Sequence, residues 1–274
     1  MLSKSESDGH KMSERIDVYM TQIGLSASRK RAQDDIRAGF VFLNGKPVEK
    51  PSTLCAPTDR IELRGHAVPF VGRGGLKLDH ALNVFSVDVA GKRCVDVGAS
   101  TGGFTDCLLR RGAAFVTAVD CGVGQLDLTL KENPHVKNLE GFNAKMLTPN
   151  ETEGKVRFAC SDVSFISIRK LIGPIYSVLE DGGDWITLVK PQFEVGRKNL
   201  GKGGIVKDPE ARLEALKDVI CDAGTSGFHF SGVCVSPILG GDGNQEFLAY
   251  FRKEQEPNRE FFIDIPKIKT ILEM

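Results

Sequence analysis

The segment from Cys94 to Thr105 constrains the fold of this chain more than any other part of its sequence. It opens with Cys94 to Val97, which is mostly apolar and β-branched, as is typical of a central parallel strand. The turn that follows is rich in glycine, whose backbone tolerates close neighbours that a Cβ atom would push away. Apolar residues at helical spacing begin at Phe104. The segment predicts a strand, a tight turn and a helix, an arrangement that builds a pocket for a nucleoside-bearing cofactor.

A second predicted strand, Phe115 to Val119, ends at Asp120. Nucleotide-binding α/β folds place a ribose-binding acid at this point, about twenty residues beyond the turn. The glycine spacing, Gly98-x-x-x-Gly102-Gly103, is neither the dinucleotide pattern nor a P-loop. Asp96 would repel a pyrophosphate and attract a cationic ligand. These features favour S-adenosylmethionine as cofactor and put hydride chemistry second.

We expect the cofactor to be held by the turn, by the acid after the second strand and by an amide after the third. The expected residues are Asp96, Gly98, Ser100, Thr101, Gly102, Gly103, Phe104, Asp120 and Asn143. Asn143 has an alternative interpretation, because an Asn after Gly141-Phe142 is also a common turn residue.

Length and composition narrow the class of protein. A chain of 274 residues with 41% hydrophobic residues suits one large domain plus a small one. Its 36 basic and 36 acidic residues balance, so the whole-chain charge indicates no partner. Seven cysteines occur without a C-x-x-C pair, which argues against zinc and against a disulfide framework. No apolar run is long enough to span a membrane, and Met1 to Ser13 is too polar for a signal peptide, so we expect a cytoplasmic protein with no metal and no membrane partner.

The N-terminal part has its own pattern. Apolar residues from Ile16 to Ile23 predict a one-faced helix, and a second, basic helix ends at Gly39. Asn44-Gly45 supplies the positive φ that a tight hairpin needs. With its segments Ser28–Ala32, Ile36–Gly39 and Val41–Gly45, this part resembles the S4 RNA-binding domain. The resemblance implies RNA contacts through phosphates and shape by Arg15, Arg29, Lys30 and Arg37, whereas the plainer alternative is a solvated helix face.

Four charged residues beyond residue 70 are expected to lie close together in the folded protein. Lys77 lies in the first turn of a predicted helix, and Asp162 follows the strand Phe158 to Ser161. Lys190 ends the apolar strand that begins at Trp185, and Glu246 opens the last strand. Ligands of open parallel sheets bind outside the carboxyl ends of the strands. If the last strand is antiparallel, all of these charges lie at the edge that also carries the glycine-rich turn.

The chain resembles the TlyA-type ribosomal RNA methyltransferases, some of which are named haemolysins and whose catalytic domain is FtsJ-like. The matching segments are Gly72–Lys77, Asp96–Thr105, Ser161–Ser167, Val189–Glu194 and Asn244–Phe247. The resemblance implies a Lys-Asp-Lys-Glu tetrad of Lys77, Asp162, Lys190 and Glu246 that methylates the 2'-hydroxyl of cytidine in 16S or 23S ribosomal RNA, with ribosomal subunits as partners.

The chemistry of this tetrad is reasonable on its own terms. A ribose hydroxyl must lose its proton as it attacks a methyl group, and a lysine must be neutral to accept that proton. A second cation nearby, or partial burial, favours a neutral lysine. We expect Lys190 to take the proton, with Lys77 assisting it or stabilising the developing alkoxide, and the acids Asp162 and Glu246 orienting both lysines.

The expected fold is α/β: a Rossmann-like methyltransferase sheet, mostly parallel with an antiparallel last strand, joined to a small α+β S4-type domain. The expected divisions are a tail (1–13), the S4-type domain (14–64), a linker (65–70), the FtsJ-like domain (71–252) and a C-terminal extension (253–274). Further RNA contacts are expected from Arg73, Arg197, Lys198 and Lys202. The last three lie in a glycine-rich loop whose plainer interpretation is a solvated flexible loop.

Three rival functions fit the sequence less well. A non-enzymatic ribosome-assembly protein with a relic fold would have lost a charge or a pocket glycine, and none is lost. A pore-former would need a long apolar run or a strongly amphipathic basic helix, and the sequence offers neither. Methylation of a base rather than a ribose gives a two-lysine site no obvious purpose.

Overall fold

The protein forms two compact units, divided between Pro69 and Phe70, in a computed structural model that describes residues 13–196 and 200–254. The division falls inside the segment expected as linker, and the exact domain bounds stay predictions. Almost all of the expected tail, Arg197 and Lys198, and the expected extension beyond Glu254 lie outside the described residues.

The N-terminal unit combines two short helices with small antiparallel sheets. Its elements are β1 (Glu14–Arg15), α1 (Ile16–Gln22), α2 (Arg29–Arg37), β2 (Val41–Leu43), β3 (Lys46–Pro47), β4 (Leu54–Cys55) and β5 (Ile61–Leu63). Ser28 caps α2 by accepting a hydrogen bond from the backbone of Arg31. Asn44 and Gly45 both have positive φ, so the predicted hairpin turn between β2 and β3 is present. The apolar faces of the helices and of β2 form one small core.

The larger unit alternates strands and helices. Its elements are α3 (Gly74–Val84), β6 (Arg93–Val97), α4 (Gly103–Arg110), β7 (Phe115–Val119), α5 (Leu128–Lys131), β8 (Val136–Leu139), β9 (Val156–Ser161), α6 (Ile172–Val178), β10 (Leu179–Val189), α7 (Pro191–Glu194), α8 (Pro209–Thr225), β11 (Phe228–Val235) and β12 (Phe247–Lys253). Short 3-10 turns cover Ala144–Met146, Ile168–Leu171 and Lys202–Gly204.

These strands form one seven-stranded sheet in the order β11-β12-β10-β9-β6-β7-β8. The pairs from β10 across to β8 are all parallel, whereas β12 is antiparallel to both of its neighbours. The predicted fold class, a mostly parallel sheet with an antiparallel last strand, is therefore confirmed. Because only β12 is reversed, its first residue meets the carboxyl ends of the parallel strands.

The core of this unit is formed by buried side chains of α6 and α8 together with those of β6, β7 and the strands β9 to β12. Trp185 is fully buried and stacks on Phe251 with ring centroids 5.0 Å apart, and its indole N–H donates to the hydroxyl of Ser161. The strand predicted from Trp185 in fact begins at Leu179, with an irregularity before Asp184. This rigid centre holds the ends of β9 and β10 side by side.

Candidate active site

The glycine-rich turn after β6 is tight because the protein packs closely around it. A Cβ atom on Gly98 would lie 2.5 Å from the carbonyl oxygen of Asp162, and one on Gly103 would lie 2.9 Å from the backbone nitrogen of Gly75. Gly102 has a φ of 95° and faces Leu126 and Leu130. The sequence suggested that these glycines make room for a ligand. The structure adds that Gly98 lets the turn after β6 approach the loop after β9, and that Gly103 lets α4 approach α3.

Asp96 lies beneath this turn rather than in it. The side chain is fully buried, and its Oδ2 accepts a hydrogen bond of 2.7 Å from the hydroxyl of Thr105 in α4. Burial, the dominant cause, raises the pKa of Asp96 to about 7. This carboxyl group therefore supports the start of α4.

Two adjoining cavities open at the carboxyl edge of the sheet, of about 370 Å³ and about 190 Å³. Their walls share Gly98, Ser100, Asp162 and Ser164. Of the residues expected to hold a cofactor, Asp120 and Asn143 line the larger cavity, Thr101, Gly103 and Phe104 line the smaller one, and Gly98 and Ser100 line both. Asp96 and Gly102 line neither of them.

Asp120 is held in a fixed orientation in the larger cavity. Its Oδ2 accepts a hydrogen bond of 2.8 Å from the backbone N–H of Ser100, and its Oδ1 accepts one of 2.7 Å from Gly122. Each carboxylate oxygen can accept a further hydrogen bond, so the group suits a pair of ligand hydroxyls. Asn143 caps a 3-10 turn with its side chain while lining the same cavity, so it is a turn residue as well as a wall residue.

The four predicted charges come together in an alternating row. Nζ of Lys77 lies 2.6 Å from Oε2 of Glu246 and 3.6 Å from Oδ2 of Asp162. Nζ of Lys190 lies 2.7 Å from Oδ1 of Asp162. Between 3% and 19% of each of these four side chains is exposed. Two lysines and two acids thus neutralise one another in a poorly hydrated site, with Asp162 between the cations.

The sheet register accounts for this meeting. Val189 of β10 pairs with Phe247 of β12, so the residues that flank this pair, Lys190 and Glu246, lie at the same edge. Parallel pairing of β9 with β10 brings Asp162 beside them. Gly240 makes room for the acid, because a Cβ atom there would lie 2.5 Å from Oε1 of Glu246.

Sequence reasoning missed three groups in the site. The hydroxyl of Ser164 accepts a hydrogen bond of 2.9 Å from Nζ of Lys190, and Gln125 lines the larger cavity beside Ser100. Phe165 has a φ of 64° and is 93% exposed at the wall of the same cavity, with its ring centroid 5.5 Å from that of Phe193. The Ser-Asp-Val-Ser-Phe segment was recognised, but no spacing rule assigns a role to its serine or its aromatic ring.

The basic residues expected to bind RNA are partly engaged within the protein. Arg15 and Arg29 both bind the fully buried carboxylate of Asp17, at 3.0 and 2.9 Å. Lys30 and Arg37 lie 3.0 and 3.4 Å from Asp34 on the surface of α2. All four side chains are between 43% and 61% exposed, so they can still contact a partner. In the larger unit, Arg73 and Lys202 are exposed.

Comparison with known proteins places these features in context. The family model described as FtsJ-like methyltransferase matches residues 70–253, and the S4 domain model matches residues 14–61. The 16S/23S rRNA (cytidine-2'-O)-methyltransferase TlyA of Mycobacterium tuberculosis is 41% identical over 88% of this chain and 91% of its own. Hemolysin A of Brachyspira hyodysenteriae is 42% identical over 86% of this chain and 99% of its own. A solved protein from Streptococcus thermophilus that bears the name hemolysin has a TM-score of 0.75 and 39% identity, covering 96% of this chain and 95% of that one.

Within residues 13–196 and 200–254, no helix is both long and apolar enough to cross a membrane. The same residues contain no cluster of three or more His, Cys, Asp or Glu side chains placed to hold a metal ion.

Proposed function

Because the chain belongs to the FtsJ-like methyltransferases, in the TlyA-type branch that joins this fold to an S4 domain, we propose that it transfers a methyl group from S-adenosylmethionine to the 2'-hydroxyl of a cytidine in ribosomal RNA. The observation that carries this proposal is the row of alternating charges Glu246–Lys77–Asp162–Lys190, in which Lys77 and Glu246 are buried and Asp162 and Lys190 line the smaller cavity. We place the protein in the cytoplasm, where ribosomal subunits are its substrates.

The two cavities fit a ligand with a nucleoside at one end and an amino acid at the other. The oriented carboxylate of Asp120 suits a ribose in the larger cavity, where Asn143 and Phe142 would flank a base. Ser100, Thr101 and Gly103 would hold the amino-acid part in the smaller cavity. When bound, S-adenosylmethionine supplies an electrophilic methyl group on a sulfonium.

Lys190 is the residue that we propose to take the proton. Its Nζ is at the wall of the smaller cavity and is fixed from two sides, by Oδ1 of Asp162 and by the hydroxyl of Ser164. A base held in this way can meet an incoming ribose hydroxyl with its orientation already set, and good positioning of reactants can contribute roughly 7 to 11 kcal/mol. Lys77 supplies a second cation on the far side of Asp162, where it can stabilise the developing alkoxide.

The N-terminal unit supports RNA as the substrate. Exposed basic side chains on β1 and α2 provide the sequence-independent contacts to phosphates that RNA-binding modules use. Arg73 and Lys202 of the larger unit are proposed to add contacts to the RNA, as are Arg197 and Lys198, which lie outside the described residues.

The test uses S-adenosylmethionine labelled in its methyl group and ribosomal subunits from cells that lack the corresponding modification. The wild-type protein should label ribosomal RNA, whereas Lys190→Ala should lose at least 99% of the rate yet bind S-adenosylmethionine with a dissociation constant within about threefold of wild type. Lys155→Ala, an exposed lysine just before β9, is the matched control and should retain full activity. Substantial methylation by Lys190→Ala would refute its role as the base.

A further inference from the structure

A second set of contacts joins the two loops that carry the reactive groups. The loop after β9, residues 162–168, contains Asp162, Ser164 and the strained, exposed Phe165. The one-turn helix α7 begins directly after Lys190. These segments are not neighbours in sequence, and strand pairing stops before either of them begins. Strand pairing places Asp162 and Lys190, which follow the paired residues directly, whereas the relative position of the segments beyond them depends on side chains.

Glu194 makes the bond between them. Its Oε2 accepts a hydrogen bond of 2.5 Å from the hydroxyl of Ser167, and its Oε1 accepts one of 2.9 Å from the backbone N–H of Ile168. Ile168 is itself buried in the core of the larger unit, so this end of the loop is anchored. The two oxygens of the Glu194 carboxylate thus bind two consecutive residues, Ser167 and Ile168.

The backbone hydrogen bonds of α7 connect Glu194 to Lys190 through one helical turn. The backbone N–H of Phe193 donates to the carbonyl of Lys190 at 2.9 Å, and that of Val195 donates to Pro191 at 2.9 Å, so α7 is a closed turn. One turn separates Lys190 from Glu194. The ring of Phe193 also lies against that of Phe165, which closes the contact from the other side.

Burying the ionised carboxylate of Glu194 costs free energy, so its hydrogen bonds must compensate for the lost hydration. Burial, the dominant cause, raises the pKa of Glu194 above its usual range, and the hydrogen bonds from Ser167 and Ile168 and the charge of Arg169 oppose that shift. The negative charge of Asp218 raises the pKa of Glu194 further. A buried polar group of this kind is tolerated when its hydrogen bonds are made.

We infer that Glu194 is a positioning residue for methyl transfer, which clasps the loop carrying Asp162 and Ser164 to the turn carrying Lys190 and so fixes the base between its two partners. The inference rests on the proposed function for its kinetic consequence, but not for its structural one. A plain structural role for Glu194, as a cap of the 3-10 turn Ile168–Leu171, would affect folding stability without selectively changing kcat.

The first measurement is amide hydrogen exchange of the full-length protein without RNA. Glu194→Ala should speed exchange at Ile168 by about tenfold or more, since one hydrogen bond to a charged acceptor is lost. Glu194→Gln should stay near wild type, because its amide can still accept from Ile168 and donate to the hydroxyl of Ser167. Ser167→Ala keeps the bond to Ile168 and should give a smaller change. Glu180→Ala, an exposed acid at the other end of β10, is the control and should change nothing at Ile168.

The second measurement is methylation of ribosomal subunits at saturating S-adenosylmethionine. Glu194→Ala should lower kcat about tenfold with an unchanged dissociation constant for the cofactor, and Glu194→Gln should restore kcat to within about threefold of wild type. Unchanged exchange at Ile168 in Glu194→Ala would overturn the clasp, and faster exchange with an unchanged kcat would overturn its role in catalysis. If Glu194→Ala does not fold, Ser167→Ala, which removes only the bond from the hydroxyl, should speed exchange at Ile168 and lower kcat by smaller factors; unchanged exchange would then overturn the clasp, and an unchanged kcat its role in catalysis. A wild-type protein that fails to methylate RNA would refute the proposed function, and exchange would then decide the clasp by itself.

Discussion

Lys77 and Glu246 are 169 residues apart in the sequence, and their side chains meet at 2.6 Å in the folded protein. Both are buried, with 8% of Lys77 and 2% of Glu246 exposed. A close pair of opposite charges in a poorly hydrated site is stable only while both members are present, because either one alone is an uncompensated buried charge. The pair therefore links the last strand of the sheet to the first helix of the larger unit and fixes Lys77, the lysine that is proposed to stabilise the developing alkoxide.

Variants of Lys77 and Glu246 should separate the effect of this pair on folding stability from its effect on methyl transfer. Glu246→Leu should lower the free energy of unfolding by about 3 kcal/mol because it leaves the buried charge of Lys77 with only the more distant carboxylate of Asp162, 3.6 Å away. The double variant Lys77→Met/Glu246→Leu should regain most of that loss and still be inactive. Urea unfolding followed by the fluorescence of Trp185, together with the methylation assay, checks both parts. A double variant less stable than Glu246→Leu would show that the pair is not coupled in this way.

Phe165 borders the cavity proposed for the nucleoside of the cofactor, but 93% of the residue is exposed, so it should act on RNA more than on the cofactor. An exposed aromatic ring at the wall of the larger cavity suits stacking against an unpaired base, and stacking is worth about 1 to 3 kcal/mol per base. Phe165→Ala should therefore reduce kcat/KM for ribosomal subunits by roughly 10- to 100-fold, with an unchanged dissociation constant for S-adenosylmethionine. Phe165→Tyr is the control and should stay close to wild type. Weaker cofactor binding in Phe165→Ala would contradict this assignment.

Asp120 should act on the cofactor and not on RNA. Asp120→Ala removes the acceptor for two backbone N–H groups and for the ligand hydroxyls, so the dissociation constant for S-adenosylmethionine should rise about 100-fold in calorimetry. Asp120→Asn keeps one acceptor oxygen, so its dissociation constant for S-adenosylmethionine should lie between those of the wild type and Asp120→Ala. The affinity for ribosomal subunits should not change, and a parallel loss of RNA binding would indicate general disruption of the site.

Asp17 should make the stability of the N-terminal unit depend on pH. The hydrogen bond from Arg15 is the main cause that holds the pKa of Asp17 well below its usual range. A lowered folded-state pKa means that the stabilisation is complete above the unfolded pKa, near 4, and is lost progressively as the pH falls from there through the folded pKa. Asp17→Asn should thus cost about 2 kcal/mol at pH 7 and less at pH 3, where the unfolded carboxyl group is mostly protonated. The methyl NMR signal of the buried Met20 during urea unfolding reports on this unit, and an equal cost at both pH values would exclude the charge as the cause.

The sequence predicted the parts of the site that follow from topology. Asp162 and Lys190 come directly after parallel strands, and Glu246 comes directly before the reversed one, so strand order alone brings them to one edge. Side-chain hydrogen bonds between loops follow no periodicity. For this reason the bond from Lys190 to Ser164 and the two bonds to Glu194 could be found only from the structure.

The glycines of the turn and the arginines of the N-terminal unit also have packing partners that the sequence does not reveal. The sequence indicated why a turn needs Gly98 and Gly103, but not that backbone atoms of Asp162 and Gly75 are the neighbours that a Cβ atom would strike. It likewise predicted RNA contacts for Arg15 and Arg29 without showing that the buried Asp17 orients both. Local charge and turn chemistry are readable from spacing, whereas packing partners depend on the complete fold.

The chemical position of the transferred methyl group tests the central claim most directly. Ribosomal RNA labelled by the protein is hydrolysed in alkali, which cleaves each linkage through attack by the neighbouring 2'-hydroxyl. A methylated 2'-oxygen cannot attack, so its linkage survives. We predict that the label appears in alkali-resistant dinucleotides with cytidine at the modified position. Label in mononucleotides would place the methyl group on a base and would contradict the two-lysine mechanism.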